Sequence, residues 1–252
     1  VKFFFKKLLP SIFSSGVTQI NILIGTIIAS FETGAVSYLY YADRIYQINL
    51  AIAGIAVGTV SLPALSKAFK NKNVKTLSNI QSKSFELSLL LSIPASFGLI
   101  LASEEIVNAL FGYGSFSKED VKLTADALKY FGYGVPAFAL IKILSNFFFA
   151  RDNTKTPFYI SAVMVIINIS ISVSLFSNFG FIIIPIATSI ATWIGVLFYI
   201  YLLNQKKSLL FNIQLIPNFI KILASTIIMS FILVLTLKNY ASYLDYAYKY
   251  KA

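Results

Sequence analysis

Three charged side chains lie where the surrounding sequence is too apolar to favour them: Asp43, Arg44 and Lys142. Asp43 and Arg44 close the run Tyr40-Tyr41-Ala42-Asp43-Arg44, and no charged residue occurs over 8–31 or 45–66. An arginine in or at the edge of a bilayer core is costly, so its presence there points to an anionic partner. Its planar fork donates two parallel hydrogen bonds and stays charged, which suits phosphate, and Asp43 would orient it. A local Asp43–Arg44 salt bridge, or an arginine snorkelling to the headgroups, accounts for the same residues. The sequence leaves both readings open. Lys142 is the one charge within 130–150. Ser145 and Asn146, at i+3 and i+4, share its helix face. It is either a second substrate-facing cation or a lysine snorkelling to the nearby interface.

Weaker polar stripes repeat at helical spacing. Asn21 aligns with Ser14, Thr18 and Gly25; Asn168 with Ser161, Val165 and Ser172; Thr188 with Thr192 and Gly195. Small and hydroxylated residues in this pattern are either helix-packing contacts or the lining of a cavity or cation site. Gly54 and Gly58 form a small-xxx-small pair read as packing.

These residues sit in a chain of 252 residues that is 57% hydrophobic and 12% charged, with a mean hydropathy of +0.76. Soluble domains carry roughly 25% charged residues, about twice as many. With no Cys and no His, disulfides, thiolate metal sites and the usual near-neutral acid–base are all excluded. The ten acidic residues are scattered over loop edges and no Gly-rich phosphate loop occurs. No enzyme activity, metal or cofactor is therefore expected. The net charge of +11 comes from basic residues gathered between apolar runs. That pattern reflects orientation and lipid contact, not nucleic-acid binding.

Runs of about 20 apolar residues span a bilayer core as helices. Seven are expected, at approximately 10–31, 38–66, 84–111, 119–150, 157–178, 181–204 and 216–238, with an external Tyr-rich tail at 239–252. The fold class is thus an all-α polytopic membrane protein. Residues 156–205 carry no charge, and Ser177-Asn178-Phe179-Gly180 supplies the turn that splits them. Ser117 and Asp120 have capping-box spacing, Thr156-Pro157 suits a helix start, and Pro136 should kink its helix. Lys2, Lys6 and Lys7, the lysines of 67–83, Arg151 with Lys155, and Lys206 with Lys207 fall in alternate loops. The positive-inside rule puts these in the cytoplasm, together with the N-terminal end of the chain. The chain opens at Val1 without a cleavable signal and reads as a piece of a longer protein.

The chain resembles the C-terminal half of the MurJ/MviN family, lipid II flippases of the MOP exporter superfamily. The residues that carry the resemblance are Gln19-Ile-Asn21, Gly34-Ala-Val-Ser37-Tyr-Leu-Tyr-Tyr-Ala-Asp-Arg44, and Gly54-Ile-Ala-Val-Gly58-Thr with Leu62-Pro63-Ala-Leu-Ser66. Further along come Leu110-Phe-Gly-Tyr-Gly-Ser-Phe116, Lys142-Ile-Leu, Phe149-Ala-Arg151-Asp-Asn-Thr-Lys155-Thr-Pro157 and Ala187-Thr-Ser189. The resemblance implies half of a fourteen-helix fold in the bacterial inner membrane. It implies movement of lipid-linked peptidoglycan precursor from the inner to the outer leaflet, for cell wall synthesis. It also implies a central cationic cavity to which Arg44 contributes, with membrane lipids and the N-terminal half of the same transporter as partners. Where some members carry acidic residues that bind a cation, this chain has Gly25 and Ser172, beside Asn168 and Thr188, which argues against sodium coupling. Another MOP-type exporter of a lipid-linked glycan or drug, or a non-transporting membrane scaffold, would share the fold.

Overall fold

The computed structural model describes residues 19–210, 212 and 215–250, with the backbone alone over 240–250. Lys2, Lys6, Lys7, Ser14 and Thr18 lie outside the described residues. Those described form helices and no strand. Helix α1 is Gln19–Ala29. Helix α2 (Ala35–Leu50) passes through a π-helical segment (Ala51–Ala56) into α3 (Val57–Lys70). Then follow α4 (Val74–Leu101), α5 (Ser103–Phe111), α6 (Lys118–Phe149), α7 (Lys155–Phe179), a 3-10 turn (Gly180–Ile182), α8 (Ile183–Gln205) and α9 (Leu215–Tyr250). Among the described residues, five apolar helical stretches are long enough to cross a membrane, and one of them, Lys155–Gln205, is the α7–α8 pair. The protein is an all-α, multi-pass membrane bundle.

Local signals explain where the helices begin and end. Ser117 Oγ accepts from Asp120 N at 3.1 Å while Ser117 N donates to Asp120 Oδ2 at 2.7 Å, a complete capping box that starts α6. Gly180, at φ +60, ends α7 and admits the turn into α8. Elsewhere the helices depart from the bounds expected for the spans. Asn73 Oδ1 accepts from Thr76 N at 3.0 Å and starts α4 at Val74, ten residues ahead of 84. The stretch to 111 then breaks at Ala102 (φ −120, ψ 26), and α5 follows with Glu104 and Glu105 in its first turn. Helix α9 continues through Tyr250, into the stretch read as a tail.

The central element is α6, which packs on α2, α4 and α8. Pro136 lies within it and cannot donate to the carbonyl four residues back, at Gly132. Ser96 Oγ of α4 fills that vacancy, donating to Gly132 O at 2.7 Å. Two carbonyls beside it are also served from α8: Ser189 Oγ donates to Tyr130 O at 2.8 Å and Trp193 Nε1 to Tyr133 O at 2.9 Å. Inside a membrane bulk water is absent, and side chains of neighbouring helices take such a role. The two apolar clusters of the core meet at this proline, with Val135 in one and Ala137 in the other.

The two ends of the bundle differ in charge. At one, Phe181 N donates to Glu32 Oε2 at 2.7 Å and Tyr38 Oη to Asp120 Oδ1 at 2.8 Å, tying three acidic or neutral turns together. At the other, Arg151 Nη2 and Gln81 Nε2 both donate to Ser208 O, at 3.0 and 3.2 Å, beside Lys206 and Lys207.

Candidate functional site

Five of the residues singled out in the sequence meet around one cavity of about 200 Å³ between α1, α2, α7 and α8. Asn21 of α1 and Asn168 of α7 face each other, the Asn168 amide donating to Asn21 Oδ1 at 2.8 Å. Thr188 of α8 donates to its own helix at Ile184 O (2.7 Å) and approaches Asn168 Oδ1 at 3.4 Å. Ser172 lies behind this lining, buried, its hydroxyl 3.5 Å from Asn168 Oδ1. Gly25 leaves open the space that a side chain at that position would fill; the nearest atom to a Cβ there is Ile184 Cγ2 at 3.8 Å. The cluster is therefore a set of neutral amides and hydroxyls. Among the described residues no group of three His, Cys, Asp or Glu side chains could hold a metal.

Helix α2 contributes the opposite wall with Tyr40, Asp43 and Tyr46, at the i, i+3 spacing of a single face. Asp43 is the one carboxylate lining the cavity, and it accepts a hydrogen bond from Gln47 Nε2. Tyr46 is fixed by stacking on Phe131 and Phe138 of α6, with ring centroids 4.7 and 5.2 Å apart. Two neighbours in sequence thus face different surroundings. Arg44 does not line the cavity. Its guanidinium lies 4.7 Å over the Tyr40 ring and donates to Tyr40 Oη at 3.1 Å. Tyr40 bridges the two, touching the cavity on one side and Arg44 on the other. Arg44 is solvent- or lipid-accessible on the bundle face, with its fork unengaged by any carboxylate among the described residues.

Lys142 belongs to a different region. It is exposed on α6, against the π-helical segment, where a Cβ on Gly54 would stand 3.1 Å from Ala139 Cα and 3.3 Å from Lys142 Cγ. Gly54 is ten residues beyond Arg44, about 15 Å along the helix. The polar stripe read with Lys142 turns to backbone instead: Ser145 Oγ donates to Lys142 O at 3.0 Å and Asn146 Nδ2 to Gly58 O at 2.8 Å. The Gly54/Gly58 pair thus serves close helix approach, where the backbone itself is the contact surface.

Sequence reasoning passed over Tyr40, Tyr46 and Ser96. Tyr40 carries a usable signal, since it stands four residues before Arg44 on the same face. The positions of Tyr46 and Ser96 depend on which helices become neighbours.

Size limits what the cavity can take. At about 200 Å³ it is smaller than the roughly 300–1,000 Å³ clefts that enclose drug-sized ligands. Water or a small ion fits, whereas a large headgroup does not.

A family model described as lipid II flippase MurJ matches residues 1–249. A probable lipid II flippase MurJ of Rickettsia prowazekii (strain Madrid E) is 41% identical over 249 residues, covering 96% of this chain and 48% of that protein. One of Rhizobium meliloti (strain 1021) is 43% identical over 189 residues, 75% of this chain and 35% of that protein. The chain spans about half the length, or less, of the curated relatives it matches. A solved lipid II flippase MurJ in an inward closed conformation superposes with a TM-score of 0.80 at 30% identity, over 90% of this chain and 47% of that one. An outward-facing multidrug resistance MATE transporter of the MOP superfamily shares the fold at a TM-score of 0.70 and 17% identity, over 87% of this chain and 50% of that one. By the match along nearly its whole length, the chain belongs to the MurJ family.

Proposed function

We propose that this chain forms the Arg44-bearing half of a flippase that moves lipid II from the inner to the outer leaflet of the bacterial cytoplasmic membrane. The observation that carries this reading is the state of Arg44: accessible, held against Tyr40, and hydrogen-bonded to no carboxylate among the described residues. Such a guanidinium keeps its charge available for an incoming anion. Lipid II presents a diphosphate between a sugar–peptide headgroup and a polyprenyl tail. Passing that headgroup through hydrocarbon requires replacing the hydration of the diphosphate, and a fixed guanidinium offsets part of the cost.

Two further features support the reading. Ile22, Leu23 and Ile27 on α1, and Val36 and Ile48 on α2, are exposed, which fits faces covered by the remaining half of the transporter and by lipid. The π-helical segment between α2 and α3 changes the helix period there, and Pro136 leaves α6 without one internal hydrogen bond, features that transporter helices moving between two states tolerate. The orientation proposed here sets the Lys-rich end in the cytoplasm by the positive-inside rule.

The test is complementation of a flippase-depleted strain by the full-length protein. Arg44→Ala abolishes rescue while leaving membrane insertion intact; undiminished rescue would remove Arg44 from the substrate path. For Lys142, rescue by Lys142→Arg but not by Lys142→Ala is expected of a second cation on that path.

A further inference from the structure

The basic end of the bundle holds a second pocket, of about 600 Å³, between α4 and the start of α9. Asn79, Lys83, Glu86, Leu87 and Leu90 form its α4 wall, a single helical stripe by their spacing. Leu215 and Asn218 face them from α9.

Polarity in this pocket is ordered along α4. Asn79, Lys83 and Glu86 stand toward the Lys-rich end; Leu87 and Leu90, both exposed, follow within the next turn, farther from that end. Leu90 lies about 10 Å beyond Lys83 along the axis. A phospholipid at the bilayer edge has the same order and scale, polar headgroup first and acyl chain next.

The two charges are kept apart. A lysine and a glutamate three positions apart on a helix are close enough to pair, though lysine first is the less favoured order. Here Glu86 turns instead across to α9, where its Oε1 accepts from Asn218 Nδ2 at 3.0 Å. Its second oxygen remains open, and Lys83 is exposed without a partner among the described residues. One wall therefore offers a cation and an anion side by side, about 5–6 Å apart at Cβ. That is the complement of a headgroup carrying both a phosphate and an ammonium.

We propose that this pocket binds a phospholipid with a phosphoethanolamine headgroup. Lys83 and the Asn79 amide donate to the phosphate, and the primary ammonium donates to Glu86. The acyl chains lie on Leu87, Leu90 and Leu215. A choline headgroup has no N–H to give Glu86 and keeps only the Lys83 contact. A glycerol headgroup leaves the carboxylate without a counter-charge. The proposal is independent of what the protein transports.

The test is competitive lipid retention by the purified full-length protein in detergent, read by native mass spectrometry. Equimolar phosphatidylethanolamine, phosphatidylcholine and phosphatidylglycerol are supplied together. Wild type retains the ethanolamine lipid about tenfold over the choline lipid, the worth of one charge-assisted hydrogen bond. Glu86→Gln brings that ratio close to one, and Lys83→Ala lowers retention of all three. A wild-type ratio of one, or a ratio unchanged in Glu86→Gln, overturns the proposal. Should Glu86→Gln fail to fold, the wild type decides alone: retention falls stepwise as the ethanolamine nitrogen is methylated one to three times, and a flat series overturns the assignment. Soluble phosphoethanolamine at the same concentration leaves the bound lipid in place, whereas displacement by it would mean a headgroup-only site and overturn the lipid assignment.

Discussion

Asp43 and Arg44 are adjacent in sequence and divide their roles by direction. Asp43 faces the small cavity with Asn21, Asn168 and Thr188, while Arg44 turns onto Tyr40 at its rim. Tyr40 therefore restrains the arginine in two ways, through its ring face and through its hydroxyl. Tyr40→Phe keeps the ring and removes the hydroxyl. With one hydrogen bond worth about 0.5–1.5 kcal/mol, transport by the full-length protein should fall by at most about tenfold. Arg44→Ala should remove it altogether. Transport rates in reconstituted vesicles check this, and equal losses in the two variants would show that Arg44 acts only when the Tyr40 hydroxyl holds it. Arg44 and Asp43 were legible from composition because charge in an apolar run is a local signal. Adjacent helix positions point in different directions, but which of the two meets a cavity was not legible, since that depends on α1, α7 and α8 becoming neighbours of α2.

At the scale of elements, α6 is a continuous helix with a proline inside it, whose freed carbonyl is served by α4. Ser96→Ala removes the donor to Gly132 O and should cost about 1 kcal/mol of stability. Unfolding in detergent measures it, with Ser78→Ala, a change at a half-buried serine of the same helix, as the comparison. Equal effects would mean that the Gly132 carbonyl does not need the hydroxyl. The caps of these helices show how far local sequence reaches. The Ser117/Asp120 box and the Gly180 turn are written in adjacent residues, and the helices obey them. The start of α4 was missed because Lys75 and Lys83 look like loop residues, although Asn73 is a good cap. The break at Ala102 has no Gly or Pro to mark it; Glu104 and Glu105, favourable in a first helical turn, were the available sign. The pairing of Asn21 with Asn168 joins residues 147 positions apart, and periodicity within either helix offers no means of choosing that partner.

As a whole molecule, the chain is a bundle with a Lys-rich end, an acidic-to-neutral end, and exposed apolar flanks. Its sidedness has a direct test, because the chain contains no Cys. Exposed positions at the two ends, Thr33 and Lys207, can each be changed to cysteine in the full-length protein, with any cysteine outside this chain replaced by serine. A membrane-impermeant maleimide applied to intact cells should label Thr33→Cys and spare Lys207→Cys; the opposite pattern would invert the proposed orientation. Whether this half supplies an anion contact to a flippase is measured most directly by lipid II translocation in proteoliposomes holding the full-length protein. Headgroup-labelled lipid II should cross with wild type and stay in its original leaflet with Arg44→Ala. Crossing at the wild-type rate in that variant would contradict the account.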